Sequence, residues 1–173
     1  MASAEQNQLK SRTASDASLP GVGAQAPDFC LKQGSDKSTV RLSDYDGRYV
    51  LLVFFRGTWC PNCRLQFRVL CENQERLKRA GIAVVGVVCQ NAGSVQRYLK
   101  SNPLPFPLLI DDSRAVAKQY GVHYWFSCEG FNLANPAIFI LDEERNILFA
   151  YRGKNQSDLP ISSVLEKFTD LLN

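Results

Sequence analysis

The chain has 173 residues, of which 45% are hydrophobic, so it can bury one substantial core and a single domain is the natural expectation. Its 20 basic and 17 acidic side chains leave a formal net charge of +3, which gives no strong electrostatic footprint for nucleic acid or an anionic membrane. The longest apolar runs, residues 50–55 and 82–89, fall far short of the ~20 residues that a membrane-spanning helix needs.

The first 26 residues are small and polar and show no hydrophobic periodicity. We therefore expect residues 1–26 to form a disordered tail and residues 27–173 to form the folded domain. This tail has no apolar core segment, so it does not match a secretory signal, and Glu5 and Asp16 argue against an organelle presequence. The sequence accordingly predicts a cytoplasmic protein.

The folded part begins with a predicted β-hairpin. Apolar alternating segments at residues 26–31 and 39–42 flank a polar turn at residues 33–36. Residues 43–47 then offer a capping residue and a terminating glycine, so a short helical turn is expected before the first central strand.

The first central strand leads directly into two cysteines. Residues 50–55 are six apolar residues typical of a strand buried on both faces, and Pro61 suits the first position of a helix. Cys60 then falls at the helix N-cap and Cys63 in the first turn, where unpaired backbone amides and the helix dipole stabilise a thiolate. Because an i, i+3 pair shares one helical face, the two sulfurs can bond after a small adjustment, which predicts a reversible redox switch.

The rest of the chain alternates helix and strand. Apolar spacing predicts a helix over residues 61–80 that Gly81 closes, followed by a buried strand at 82–89 in a parallel crossover. Next come a helix at 94–101, a strand at 108–110, a helix from 112 or 113 to 120, an aperiodic aromatic stretch at 123–131, strands at 137–141 and 147–151, and an amphipathic helix at 159–172. This order predicts an α/β fold with a mixed central sheet, helices on both faces and an N-terminal β-hairpin.

With its cysteine pair at the end of the first central strand and Asn135-Pro136 before the penultimate strand, the chain resembles the thioredoxin fold. Residues 26–29, 42–45 and 137–142 are similar to the alkyl hydroperoxide reductase and thiol-specific antioxidant (AhpC/TSA) branch, the peroxiredoxins and their relatives. The resemblance covers about residues 26–173. It implies an antioxidant thiol oxidoreductase without a bound organic cofactor, reduced by an external thiol of the thioredoxin or glutathione type. It also implies that Pro136 has a cis peptide bond and faces the cysteine pair.

Two departures from these families are visible. If Cys63 occupies the peroxidatic position of the peroxiredoxin motif Pro-x-x-x-Thr-x-x-Cys, Arg56 and Cys60 stand where the proline and threonine belong. The family's later arginine aligns near Pro136, and Phe54 replaces the buried acid of thioredoxin. The sequence therefore predicts a peroxiredoxin-like protein with a thioredoxin-type cysteine pair.

The chemistry that the residues predict is thiol–disulfide exchange. Cys60, expected to be the more exposed sulfur, attacks as a thiolate favoured by the helix terminus and by Arg56 or Arg64, and Cys63 resolves the mixed disulfide. With a hydroperoxide, one thiolate becomes a sulfenic acid and the other condenses with it to the same disulfide. The sequence supports either substrate and leaves the first attacker and the oligomeric state open. The expected supporting residues are Thr58, Trp59, Pro61, Arg56 and Pro136.

Within that set, we expect Trp59 to shield the sulfurs and Thr58 either to donate to a thiolate or to serve the turn alone. The other four cysteines are not predicted to belong to the reactive pair. Cys30, Cys71 and Cys89 lie in apolar patterns and are expected to be core residues, whereas Cys128 is a candidate additional resolving or regulatory thiol.

Two alternatives remain open at this point. A copper or zinc carrier would use Cys60, Cys63 and His123, the only histidine of the chain. A binding module would carry the cysteine pair only as a vestige. The preferred prediction assigns no metal.

Overall fold

A computed structural model describes residues 19–127 and 130–171 of the chain. Its strands are β1 (Cys30–Gln33), β2 (Thr39–Arg41), β3 (Tyr49–Phe55), β4 (Ile82–Val88), β5 (Leu108–Ile110), β6 (His123–Ser127), β7 (Gly130–Ala134), β8 (Ala137–Leu141) and β9 (Ile147–Arg152). Its helices are α1 (Pro61–Glu72), α2 (Gln74–Arg79), α3 (Ala92–Ser101), α4 (Ala115–Gln119) and α5 (Ile161–Leu171), with a 3-10 turn at Leu42–Tyr45.

Seven strands form one mixed sheet in the order β2-β1-β5-β4-β3-β8-β9. The central strands β3, β4 and β5 run parallel, and the outer strands pair antiparallel to their neighbours. The predicted α/β architecture with an N-terminal hairpin is therefore confirmed. None of the helices in the described chain is both long and apolar enough to cross a bilayer.

Both faces of the sheet are covered, so the central strands are apolar throughout. On β3, Leu51, Val53 and Phe55 face a first core, which α1, α3 and α5 complete. The intervening residues face a second core, which contains α4, Tyr120 and Phe139. Because side chains alternate along a strand, one continuous apolar run supplies both cores.

The prediction of one continuous helix over residues 61–80 is wrong, because the chain forms two helices, α1 and α2, separated at Asn73. The Asn73 side-chain amide donates to the Val69 carbonyl at 2.9 Å, and its backbone amide donates to the same carbonyl. An asparagine that bonds the preceding turn in this way competes with the regular helical pattern.

Other helix starts also differ from prediction. Helix α3 begins two residues early because the Asn91 side chain accepts the Ser94 amide at 2.9 Å. Helix α4 begins only at Ala115, and buried Asp111, rather than Asp112 or Ser113, accepts the Ala117 amide at 2.8 Å.

The aromatic stretch at residues 123–131, which shows no period in the sequence, contains most of a separate two-stranded sheet. Strands β6 and β7 pair antiparallel from His123 opposite Ala134 to Ser127 opposite Gly130. Cross-strand backbone pairing defines this ribbon, and a local pattern of side chains does not reveal such pairing.

Residues before position 27, where the folded domain is predicted to begin, already make contacts with the rest of the structure. Backbone bonds join Gly23 and Ala24 to Ile147, and Ala26 to Arg145, at 2.8 Å each. Residues 19–26 therefore extend the structure at the edge next to β9. The first 18 residues of the expected tail lie outside the described residues.

Candidate active site

The sheet topology gathers several chain segments at one edge. In the register, Phe54 near the end of β3 lies opposite Ala137 at the start of β8, and Ala137 lies opposite Arg152 at the end of β9. The turn after β3 and the segment after β9 therefore emerge side by side, although they are about a hundred positions apart in sequence.

The cysteine pair occupies the turn after β3. As predicted, Pro61 begins α1, Cys60 is its N-cap residue with extended backbone, and Cys63 lies in the first turn. Both are free thiols, and their side chains are hydrogen-bonded neighbours. The structure thus holds two reduced sulfurs together at a helix N-terminus.

Neither sulfur is open to solvent. Cys60 is 0% exposed and Cys63 is 4% exposed, so the prediction that Cys60 is the more exposed of the two is wrong. The reason is tertiary, because the segment that follows β9 lies against the N-cap position and contacts the Cys60 sulfur through Gln156.

Burial also sets the ionisation of Cys63. Burial, with a smaller contribution from the neighbouring Cys60, raises the pKa of the Cys63 thiol from its ordinary value of 9.0 to about 12. The backbone amides of Gly57 and Arg56 lower this pKa through hydrogen bonds, but by less than burial raises it. Cys63 is therefore a protonated thiol at neutral pH in the reduced protein.

Arg56 lies beside the pair and is itself 2% exposed. Its Nη1 donates to Gln156 Oε1 at 2.7 Å, and its guanidinium lies 5.2 Å from the centre of the Trp59 ring. Trp59 therefore covers Arg56, and the shield that Trp59 is expected to form over the sulfurs stays a prediction. A Cβ on Gly57 would stand 2.3 Å from the indole nitrogen, so only glycine allows this close approach.

Gln156 is the site residue that the sequence did not reveal. Its Oε1 accepts from Arg56 and also from the Cys60 thiol, across 3.9 Å. The next residue, Ser157, accepts from the Asn62 side chain at 3.2 Å. Nothing in a polar turn marks a glutamine as functional, and only the strand register brings it to Cys60.

Thr58 serves the turn rather than the sulfurs. Its amide and hydroxyl bond the side chain of Gln90, at 2.8 and 3.0 Å. Its carbonyl accepts from Arg64 Nε at 2.7 Å, and the Arg64 guanidinium lies over the Tyr98 ring at 5.4 Å. Thr58 and Arg64, both predicted to lie beside the thiolate, therefore have other hydrogen-bond partners in the structure.

The cis bond that the resemblance assigns to Pro136 is not present, since no peptide bond of the described residues is cis. Trans is the lower-energy isomer, and with it the Pro136 carbonyl accepts the Gly153 amide at 2.7 Å. Pro136 therefore anchors the start of the segment after β9.

The remaining cysteines differ from one another. Cys89 is buried, as predicted, and Cys71 is partly buried against the first core. The prediction for Cys30 is wrong, because its side chain lies on the outer face of the β1–β2 hairpin and is exposed. Cys128 lies outside the described residues.

The metal-carrier alternative has no support. Across residues 19–127 and 130–171, no group of three His, Cys, Asp or Glu side chains is arranged to hold a metal ion. His123 instead shares a 2.8 Å hydrogen bond with the Asn132 side chain across the β6–β7 ribbon.

Comparisons with known proteins agree with this architecture. The chloroplastic peroxiredoxin Q of Triticum aestivum is 30% identical over 149 residues, covering 86% of this chain and 67% of the wheat protein. Peroxiredoxin Bcp of Bacillus subtilis is 27% identical over 154 residues, covering 87% of this chain and 96% of the bacterial protein. The chain spans 64% of the length of the rice peroxiredoxin Q sequences.

Solved structures show the same fold. Peroxidoxin BcpB of Mycobacterium tuberculosis superposes with a TM-score of 0.74 at 20% identity, over 87% of this chain and 95% of that one. A putative thiol:disulfide interchange protein DsbE from Chlorobium tepidum superposes with a TM-score of 0.70 at 27% identity, over 90% and 100% of the two chains. The sequence model described as the AhpC/TSA family matches residues 22–150. The chain therefore belongs to the AhpC/TSA family of thiol-dependent oxidoreductases, as its sequence predicts.

Proposed function

We propose that this protein reduces hydroperoxides with the Cys60–Cys63 pair, which cycles between two thiols and a disulfide. The observation that carries the proposal is the contact of two free thiols at the N-terminus of α1, inside an AhpC/TSA fold. Helix N-termini favour a thiolate, and a second thiol within reach allows the oxidised sulfur to be recovered.

Cys60 is the attacking sulfur in this proposal. Burial keeps the proton on Cys63, whereas Cys60 stands at the N-cap position, where the unpaired amides of α1 begin. The Cys60 thiolate attacks the outer oxygen of the hydroperoxide, the O–O bond breaks, and the departing alkoxide takes a proton and leaves as the alcohol. Cys60 is then a sulfenic acid.

Cys63 completes the cycle as the resolving thiol. Its sulfur attacks the sulfur of the sulfenic acid, a disulfide forms, and the hydroxyl leaves as water with the thiol proton. An external thiol reductant, either one dithiol of the thioredoxin type or two thiols of the glutathione type, restores both thiols by exchange and becomes a disulfide itself. We propose the cytoplasm as the compartment, since reducing surroundings keep such thiols free. The plant relatives are named chloroplastic.

Reduction of protein disulfides is a second candidate function. The similarity to the putative thiol:disulfide interchange protein favours it, because that relative is 27% identical over 90% of this chain. The residues would keep their roles, with Cys60 attacking a substrate disulfide and Cys63 releasing the product.

Stopped-flow oxidation of the reduced protein by hydrogen peroxide tests the main proposal. We expect single-turnover oxidation that follows peroxide concentration, with loss of two thiols and a mass-mapped peptide that joins residues 60 and 63. Insulin reduction by the same preparation measures the second candidate. Very slow peroxide oxidation beside efficient insulin reduction would overturn the peroxidase in favour of the disulfide reductase.

A further inference from the structure

The burial of Cys60 demands a movement before any reaction. At 0% exposure, no water-sized molecule touches this residue, and hydrogen peroxide is larger than water. The substrate therefore reaches the sulfur only when a neighbouring part of the chain shifts.

Residues 153–160, here called the covering segment, are the part that lies against the pair. Two of their side chains bond the turn after β3 and the start of α1: Gln156 bonds Arg56 and Cys60, and Ser157 bonds Asn62. These contacts are polar, and the Lys154, Asn155 and Ser157 side chains are exposed. Such contacts cost little to break compared with an apolar core.

The middle of the covering segment is bonded to itself. The Asp158 amide donates to the Asn155 carbonyl at 3.1 Å, and the Asp158 carboxylate accepts from the Lys154 amide and the Tyr151 hydroxyl. At the two ends, Gly153 is bonded to Pro136, and Leu159 is buried in the first core. The turn between these ends is therefore able to move as one unit.

Gly153 makes the tight form of this turn possible. A Cβ at this position would lie 2.1 Å from the Asp158 carbonyl oxygen, a contact that no side chain tolerates. The close approach of Gly153 and Asp158 keeps the ends of the turn together, so the tip at Gln156 moves only with the turn as a whole.

One oxygen at the tip of the turn bonds two residues of the site. Gln156 Oε1 accepts from the Cys60 thiol across 3.9 Å and from the Arg56 guanidinium at 2.7 Å. The shorter bond goes to a cation, and hydrogen bonds to charged groups are the stronger ones. The acceptor oxygen of Gln156 therefore holds the tip over Cys60.

We propose that Gln156 is a positioning residue whose side-chain oxygen holds the covering segment closed over Cys60, and that this segment opens to admit the substrate. This inference rests on the proposed function in taking Cys60 as the attacking sulfur.

Alkylation of Cys60 by iodoacetamide tests the proposal without peroxide or reductant. The rate is measured at pH 7 by peptide mass mapping, for the wild type, Gln156→Ala and Gln156→Glu. The matched control is Gln96→Ala, which removes the same side chain from α3, beside Lys37 and Lys100 and away from the sulfurs. Thermal unfolding of each variant confirms that it is folded.

We expect Gln156→Ala to alkylate at least about tenfold faster at pH 7, because the bonds that hold the covering segment closed are lost. Gln156→Glu keeps an acceptor oxygen for Arg56, so the segment stays closed and the rate should stay within about twofold of wild type. Gln96→Ala should match wild type.

Equal rates in all four proteins would overturn the proposal. Faster alkylation in both Gln156 variants would also overturn it, because the acceptor oxygen would then not be what holds the segment closed. A protein that fails to turn over peroxide but shows faster alkylation in Gln156→Ala alone would refute the proposed function and leave this inference standing.

Discussion

Cys63 and Cys89 are both buried thiols near the carboxyl ends of neighbouring parallel strands, β3 and β4. Burial raises the pKa of each from 9.0 to about 12. Their neighbours are nevertheless different. Cys63 has a second thiol and two backbone amides, whereas Cys89 has the carboxylate of Asp111 at 3.8 Å.

The comparison shows that two equally buried thiols have different surroundings. Cys63 belongs to the first core and Cys89 to the second, so the central sheet separates the two sulfurs. The Asp111 carboxylate adds to the raised pKa of Cys89 and the Arg114 cation lowers it, whereas backbone amides of the turn bond the Cys63 sulfur and lower its pKa. What distinguishes the candidate site, within the described residues, is a partner sulfur at a helix N-terminus.

The largest expected effect comes from removing each sulfur in turn. Cys60→Ser and Cys63→Ser should each lower peroxide or disulfide turnover by at least about a thousandfold, because each lacks one half of the disulfide. Cys89→Ser should stay within about twofold of wild type, because serine still donates to Asp111 and the reacting pair is untouched. Steady-state turnover with an external dithiol measures all three variants. A large loss in Cys89→Ser would mean that the two faces of the sheet are chemically coupled.

The next effect is on stability and concerns the neighbour of Cys89. Asp111 is 0% exposed and accepts from the Ala117 amide, the Ser113 hydroxyl and the Cys89 thiol. Asp111→Ala should lower the free energy of unfolding by about 2–3 kcal/mol, because the amide at the start of α4 loses its buried partner. Asp111→Asn keeps the shape and the acceptor, so its loss should be smaller. Urea unfolding measures both. Equal losses in the two variants would contradict a capping role for the carboxyl oxygen.

The smallest effect is a pH dependence that both thiols share. The unfolded chain loses a cysteine proton near pH 9, whereas the folded protein holds it until about pH 12, so the folded state binds more protons in this window. Stability should therefore fall as pH rises, by about 1.4 kcal/mol per buried thiol between pH 8 and pH 10.

The variant Cys89→Ala removes the contribution of Cys89 to this fall in stability. Its free energy of unfolding should decline less than that of the reduced wild type from pH 8 to pH 10, by about 1.4 kcal/mol. Urea unfolding at the two pH values gives the difference, in which the contributions of tyrosines and lysines cancel. Identical declines would show that Cys89 ionises in the folded protein as easily as in the unfolded chain.

Much of the fold could be predicted from local pattern. The apolar run at residues 50–55 correctly predicted strand β3. The proline after Cys60 and the helical spacing that follows it correctly predicted the N-cap and the first turn of α1. The interruption at Asn73 and the β6–β7 ribbon were not predicted, because each depends on hydrogen bonds whose partners lie outside the local pattern of apolar residues.

The sequence by itself determined the chemical identity of the site, since two cysteines three positions apart at a strand-to-helix junction place both sulfurs at unpaired helix amides. Only the tertiary structure decided how accessible they are and what surrounds them. The register of β3, β8 and β9 brings Gln156 over Cys60 and beside Arg56. The physical reason is that a local conformation depends on neighbouring residues, whereas burial and ionisation depend on whatever the folded chain packs against the atom.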